Sequence, residues 1–271
     1  MSATQAHPAE APPKILTPEY YAQMDAAEER LGWYRGMREM LVRMAEAYGP
    51  SSRPMHILDA GCGVGGLLTR LDRLAAPGHL VGLDLASEAL RYCRQRSSFA
   101  LVESSVVPLP FASSSFDVIT CADVLQHIDE GDDQRTLEEF FRVLRPGGVL
   151  VLRVARGWGD PTYSHRYYEL DGLAGQFRGA GFSVEKATFV NRISYWFQSA
   201  RRRVDSGFRG EGLPQLPPSG AAAVFSPAWW KDKLIYRFLR QEAEALAGTP
   251  RTFSRGNAVL VVGRKRAASD S

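Results

Sequence analysis

Ile57-Leu58-Asp59-Ala60-Gly61-Cys62-Gly63-Val64-Gly65-Gly66 is the stretch from which the fold of this chain can be read. An apolar run from His56 to Leu58 meets a carboxylate and then four glycines in six positions. The periodic segment Leu67-Leu68-Thr69-Arg70-Leu71 follows at once. This pattern predicts a buried strand that ends in a tight turn and opens a helix, with glycine where a side chain would block a ligand. Such a turn lies at the carboxyl end of a parallel strand, the usual ligand crevice of open α/β sheets.

The first decision is what binds there. Gly61, Gly63 and Gly66 spell G-x-G-x-x-G, and Asp84 lies about 20 residues on, as a dinucleotide fingerprint requires. Asp59 points elsewhere. A carboxylate beside the cradle repels a diphosphate and favours a cation. S-adenosylmethionine carries both an ammonium and a sulfonium, so an acid at this position selects it over a nicotinamide or flavin dinucleotide.

Further along the chain stand Val81-Gly82-Leu83-Asp84-Leu85, Pro108-Leu109-Pro110-Phe111 with Ser115-Phe116-Asp117-Val118-Ile119, and Leu144-Arg145-Pro146-Gly147-Gly148-Val149-Leu150. Together with Leu58–Gly65 they resemble, in order and spacing, the motifs of the class I S-adenosylmethionine-dependent methyltransferases over roughly residues 55–155. The resemblance implies a methyl transfer enzyme with S-adenosyl-L-methionine as cofactor.

Alternating elements carry the fold prediction. Strands are expected at 55–60, 79–84, 99–103, 116–121, 149–154, 182–190 and 257–264, with helices at 66–74, 87–96, 134–144 and 170–181 between them. Strands alternating with helices make an α/β, Rossmann-like doubly wound sheet of seven strands, mostly parallel, with the last strand antiparallel. The expected organisation is a disordered leader (1–14), an N-terminal helical cap (15–50), a core (51–190 plus 256–266) and a helical insertion before the last strand (191–255). Thr17-Pro18-Glu19 marks the first helix start, with a break near Gly32 and a stop at Gly49-Pro50. Tyr20, Tyr21, Trp33 and Tyr34 in the cap suit either packing on the sheet or a lid over the cofactor.

The site is expected as follows. Asp84 ends the second strand, where its two oxygens accept both ribose hydroxyls, and Leu85 lies against the adenine. By resemblance, the position that often holds the adenine amino group falls on Ser105, beside Val106, with Glu103 as a substitute two positions early. Gly61 and Gly63 admit the methionine moiety, Asp59 faces its charge, and Ala122 offers it a carbonyl. On the acceptor side His127, after the fourth strand, and His165, in Tyr163-Ser164-His165-Arg166-Tyr167-Tyr168, are the candidate bases. Each has a structural alternative, a packed helix end for His127 and a turn capping the next helix for His165. The expected reaction is transfer to a small-molecule acceptor, with oxygen ahead of nitrogen or carbon, in a glycan or secondary-metabolite pathway. Two rival readings are a nucleotide-dependent oxidoreductase and a cofactor-binding partner subunit without turnover.

Composition bounds the rest. Hydrophobic content of 45% and charged content of 23% over 271 residues suit a soluble globular protein with a sizeable core. A net charge of +3 gives no reason to expect a nucleic-acid partner. Cys62, Cys93 and Cys121 are too few and too scattered for a disulfide framework or a metal site. With no apolar run long enough to span a bilayer and no signal-peptide core, a cytoplasmic protein is expected. Tyr195-Trp196-Phe197 before Arg201-Arg202-Arg203 suggests either peripheral membrane or lipid contact or a helix that packs its aromatic face.

Overall fold

A computed structural model describes residues 17–51, 54–96, 98–129, 131–155, 167–197, 199 and 229–266. Its seven strands are β1 (Met55–Ala60), β2 (Ala75–Asp84), β3 (Ala100–Glu103), β4 (Phe116–Ala122), β5 (Leu144–Ala155), β6 (Ser183–Val190) and β7 (Ala258–Arg264). They lie in the order β3-β2-β1-β4-β5-β7-β6. β1 pairs in parallel with β2 and β4, β2 with β3 and β4 with β5, whereas β7 runs antiparallel between β5 and β6. The strand order reverses between β1 and β4, so a crevice opens beyond their carboxyl ends.

Both faces of the sheet are buried, and the strands show why they read as continuous apolar runs. Ile57, Val118, Val149, Val151, Leu260 and Val262 point into one cluster, while their neighbours Leu58, Ile119, Leu150, Leu152, Val259 and Val261 point into another. The second cluster is closed by α5 (Asp132–Val143) and α6 (Leu170–Gly179), through Leu137, Phe140, Leu173 and Phe177. The first is closed by α2 (Gly32–Tyr48), α3 (Leu68–Leu71), α4 (Ser87–Arg96) and α8 (Trp229–Leu246).

α2 and α8 pack so closely that glycine is required between them. A Cβ on Gly32 would stand 2.1 Å from the Asp232 carbonyl oxygen, and one on Gly36 would stand 2.5 Å from Leu239 Cβ. Leu31 at the start of α2 gives no side-chain cap. The Gly32 amide instead donates to the Asp232 carboxylate at 3.3 Å, a cap supplied by the other helix. The expected cap and insertion therefore meet in one layer of the core. α1 (Pro18–Glu28) precedes them, and its first turn is capped as the sequence suggests, Tyr20 N donating to Thr17 Oγ1 at 3.2 Å.

Element bounds differ from expectation in two informative places. The helix expected at 66–74 is only α3 followed by a 3-10 turn, Asp72–Leu74, so the glycine turn is longer and the helix shorter than periodicity implied. β2 and β5 begin several residues early, because Ala75 already pairs with Met55 of β1 and Leu144 with Phe116 of β4, and the register then shifts across the proline–glycine segments that follow. Helix is present at residues 192–197 (α7), whereas 200–228, His165 and the 1–14 leader lie outside the described residues.

Candidate active site

A cavity of about 590 Å³ opens at the carboxyl ends of β1, β2, β4 and β5, on the face covered by α2 and α8. Its floor is set by strand alternation. Asp59 shares a strand face with Ile57, Thr120 with Val118, and Arg153 with Val151.

Asp59 is 2% exposed. Thr120, its partner in the β1–β4 register, donates its hydroxyl to Asp59 Oδ1 at 2.7 Å. Asp59 Oδ2 is buried without a hydrogen-bond partner. Burial lifts this carboxyl from 3.8 to about 7, and the Thr120 hydrogen bond only partly opposes the rise. An unpartnered buried acceptor of this kind is costly unless a cation or donor arrives. The residue stands in the cavity lining, as a cation-selecting acid should.

Asp84 ends β2 with both carboxylate oxygens engaged, Oδ2 accepting from Gly63 N at 2.8 Å and Oδ1 from Ala86 N at 2.9 Å. It thus ties the glycine turn to the next loop, a role the sequence did not reveal. Each oxygen keeps a further lone pair for a ligand hydroxyl. Burial raises its carboxyl pKa, and the backbone amides of Ala86, Gly63 and Leu85 counter this in part.

The glycine turn has its own logic. Gly61 and Gly63 have φ of +80° and +54°, where a side chain is strained. A Cβ on Gly61 would also meet Val124 Cγ2 at 2.1 Å. The Gly61 and Cys62 amides donate to the Leu83 carbonyl at 2.7 and 2.9 Å, which locks the turn onto β2. Cys62 is buried, and its thiol is pushed up first by a hydrogen bond with Cys93 and then by burial, as befits a small packed residue.

The remaining expected cofactor residues meet in the same cavity. Leu85 is 62% exposed at its edge, and Ser105, Val106 and Ala122 all line it. The Ser105 hydroxyl accepts from Val107 N at 3.1 Å, leaving its own hydrogen to donate. Glu103 is exposed and stands outside the lining, which disfavours it as the substitute. His127 sits on a 3-10 turn, Leu125–His127, with its side chain exposed at the cavity rim.

Several lining residues had no motif to announce them. α1 and α2 supply Tyr21, Met24, Trp33, Tyr34 and Met37, so the aromatic segment both packs and roofs the cavity. Glu28 and Arg38 form a buried ion pair at 3.4 Å beside the glycine turn, and Arg96 of α4 reaches Asp25 of α1 at 2.7 Å. These charges hold α1 over the cradle. On the β5 side stand Arg153, which pairs with Asp123, and Gln126, Asn191 and Asn257. Among the described residues no cluster of side chains suits a metal ion, and no helix is long and apolar enough to cross a membrane.

Comparison with known proteins agrees with this geometry. Residues 58–152 match the family model described as a methyltransferase domain. A 2-phytyl-1,4-naphtoquinone methyltransferase of Nostoc punctiforme is 34% identical over 130 residues, 45% of this chain and 54% of the relative. A malonyl-[acyl-carrier protein] O-methyltransferase of Dechloromonas aromatica is 36% identical over 115 residues, 42% of each. The chain thus spans about half the length of the curated relatives it matches. Phosphoethanolamine N-methyltransferase 2 of Haemonchus contortus, solved with S-adenosyl-L-methionine, shares the fold at a TM-score of 0.58 and 15% identity, over 94% of this chain and 58% of that one. Sheet order and glycine turn agree with the family match, which assigns a methyltransferase domain to residues 58–152.

Proposed function

We propose that this protein transfers the methyl group of S-adenosyl-L-methionine to a small molecule, with an oxygen atom as acceptor. The observation that carries the reading is Asp59 Oδ2, a buried and unpartnered carboxylate oxygen on the cavity floor. It fits a cationic cofactor and repels a diphosphate. Asp84 at the end of β2 fits the ribose hydroxyls, Leu85 and Val106 the two faces of the adenine, Ser105 its polar edge, and the Ala122 carbonyl the ammonium.

Bound there, the cofactor would supply an activated methyl carbon, and the accepting oxygen would give up its proton to water or a nearby base. The chain's own task is then positioning and exclusion of water. α1 and the aromatic end of α2 cover the cradle and serve the second purpose. His127, exposed at the rim, assists only as a secondary proton acceptor through water, and His165 is the other candidate. Relatives named for a quinone and for malonyl-[acyl-carrier protein] support a small or carrier-borne acceptor, and the O-methyltransferase name supports oxygen.

Titration calorimetry with S-adenosylhomocysteine and with NAD tests the cofactor. Tight binding of the first alone is expected, and binding of NAD alone overturns the reading. Transfer of labelled methyl to a panel of phenols, carboxylic acids and amines then tests turnover and the accepting atom.

A further inference from the structure

Arg153 has no part in the cofactor scheme. It interrupts the run Val149–Val154 in the central strand β5, side chain 2% exposed, on the face covered by α2 and α8. A guanidinium in such surroundings costs several kcal/mol of desolvation that one ion pair does not dependably return. Asp123 meets only part of it. Its Oδ2 accepts from Arg153 Nη1, while Asp123 Oδ1 and Arg153 Nε are both buried without partners. The Trp33 ring lies below the guanidinium, its centroid 5.3 Å from Cζ, and holds the plane in place. Glu242 of α8 is the other acid nearby. Burial lifts its carboxyl to about 7; its Oε2 accepts from Arg192 N at 3.3 Å, and its Oε1 is buried without a partner.

A second donor stands unused in the same cavity. Asn257 immediately precedes β7, whose antiparallel course brings its start to the carboxyl edge of β5, with Ala258 opposite Ala155. Asn257 Nδ2 is buried and has no hydrogen-bond partner. Ala155, two residues beyond Arg153 on the same strand face, leaves room between them. Trp33, Met37 and Leu41 give this end an apolar wall.

The geometry points to a carboxylate-anchoring subsite: Arg153 Nε and Asn257 Nδ2 hold a carboxylate on the acceptor, with its apolar body against Trp33 and Met37. The inference rests on the methyl-transfer reading and deepens it, naming small organic acids as the acceptor class. The guanidinium edge left by Asp123 is the planar fork that matches a carboxylate. That carboxylate is an anchor and not the methylated group, because an arginine bound to it withdraws the electron density a nucleophile needs. The atom that is methylated belongs to another group of the same molecule.

Benzoate and benzamide, equal in shape and different in charge, are the probes, read by ligand-observed NMR on the full chain saturated with S-adenosylhomocysteine. Benzoate should bind at least about tenfold more tightly than benzamide, the effect of one charged hydrogen bond. Arg153→Gln should abolish the preference while S-adenosylhomocysteine affinity is unchanged. Arg153→Lys, which keeps the charge and loses the fork, should weaken it, and Asn257→Asp should reverse it. Equal affinity of wild type for the two probes, or no binding of benzoate, overturns the subsite whatever the variants do. Failure of wild type to bind S-adenosylhomocysteine at all would instead strike the cofactor reading.

Discussion

Asp59→Asn should make this protein more stable and less able to hold its cofactor, and both effects should grow as pH rises towards and through about 7. The folded state raises the Asp59 carboxyl from 3.8 to about 7, chiefly by burial. At 1.36 kcal/mol per pH unit this is a penalty of roughly 4 kcal/mol for ionising Asp59 in the ligand-free fold. The sign follows from the direction of the rise. Below the unfolded value the group is neutral in both states and costs nothing. As pH climbs towards 7 the unfolded chain releases the proton and the folded chain retains it, so stability falls. Above about 7 the full penalty stands. Asparagine is neutral throughout and keeps an oxygen for the Thr120 hydroxyl, which donates at 2.7 Å in the wild type. Its amide nitrogen inherits the unpartnered position at a cost of about 1–3 kcal/mol, much as a protonated carboxyl would.

The expected gain is therefore close to zero at pH 4 and between about 1 and 4 kcal/mol at pH 8, several degrees in Tm for a chain of this size. Thermal unfolding of both proteins across that range is the assay. Glu242 and Asp84 contribute slopes of their own, but these are common to both proteins and cancel in the difference. Affinity for S-adenosylhomocysteine should rise with pH through about 7 in the wild type and stay low and flat in the variant. If the variant is no more stable than wild type at pH 8, or binds S-adenosylhomocysteine equally well, Asp59 is not a neutralised acid awaiting a cation.

Asp84→Asn should lose S-adenosylhomocysteine binding by about a hundredfold or more in calorimetry, and lower Tm as well, because Gly63 N and Ala86 N both donate to that carboxylate. Gly61→Ala should destabilise by about 2–4 kcal/mol in chemical denaturation, since it adds strain at φ +80° to a collision with Val124; Val124→Ala should recover only the collision. His127→Ala, at an exposed position, should reduce turnover by less than about tenfold, against the ~10²–10⁴ that an essential base contributes. A larger loss with unchanged cofactor affinity would make His127 the base.

The parts of this molecule legible in its sequence are those in which one strand or one turn carries the information. Leu58-Asp59-Ala60-Gly61 reads as a strand end because the apolar run, the acid and the left-handed glycine are consecutive, and Asp84 reads as a site residue because β2 stops there. What escaped prediction depends on contacts distant in sequence. Gly32 reads as a helix break, and it is also the place where α8 crosses α2, with Asp232 capping a helix 200 residues away. Arg153 reads as one charge in an apolar strand, and only the register of β4, β5 and β7 brings it to Asp123 and Asn257. Glu103 stays exposed at the end of the edge strand β3, outside the cavity lining.

The charges around the cavity divide in a way that ties the two proposals together. Acids dominate its lining, with Glu28, Asp59, Asp84, Asp123, Asp129 and Asp132 against Arg38 and Arg153. That balance suits a cofactor of net positive charge and works against an anionic acceptor approaching from bulk. Arg38 is already committed to Glu28 and Glu29 at 3.4 and 3.0 Å, in the network that holds α1. Arg153 presents its buried Nε on the β5 side, beside Asn257, and the cofactor's charge would lower the barrier for an acid to reach it. Order of binding follows from this. An organic acid should bind weakly to the free protein and more tightly once a sulfonium is in place, by a factor that falls as salt is added. Replacing S-adenosylmethionine with the neutral thioether S-adenosylhomocysteine should remove that increment. Benzoate affinity that is the same with either cofactor would show that Arg153 acts alone, without help from the methyl donor.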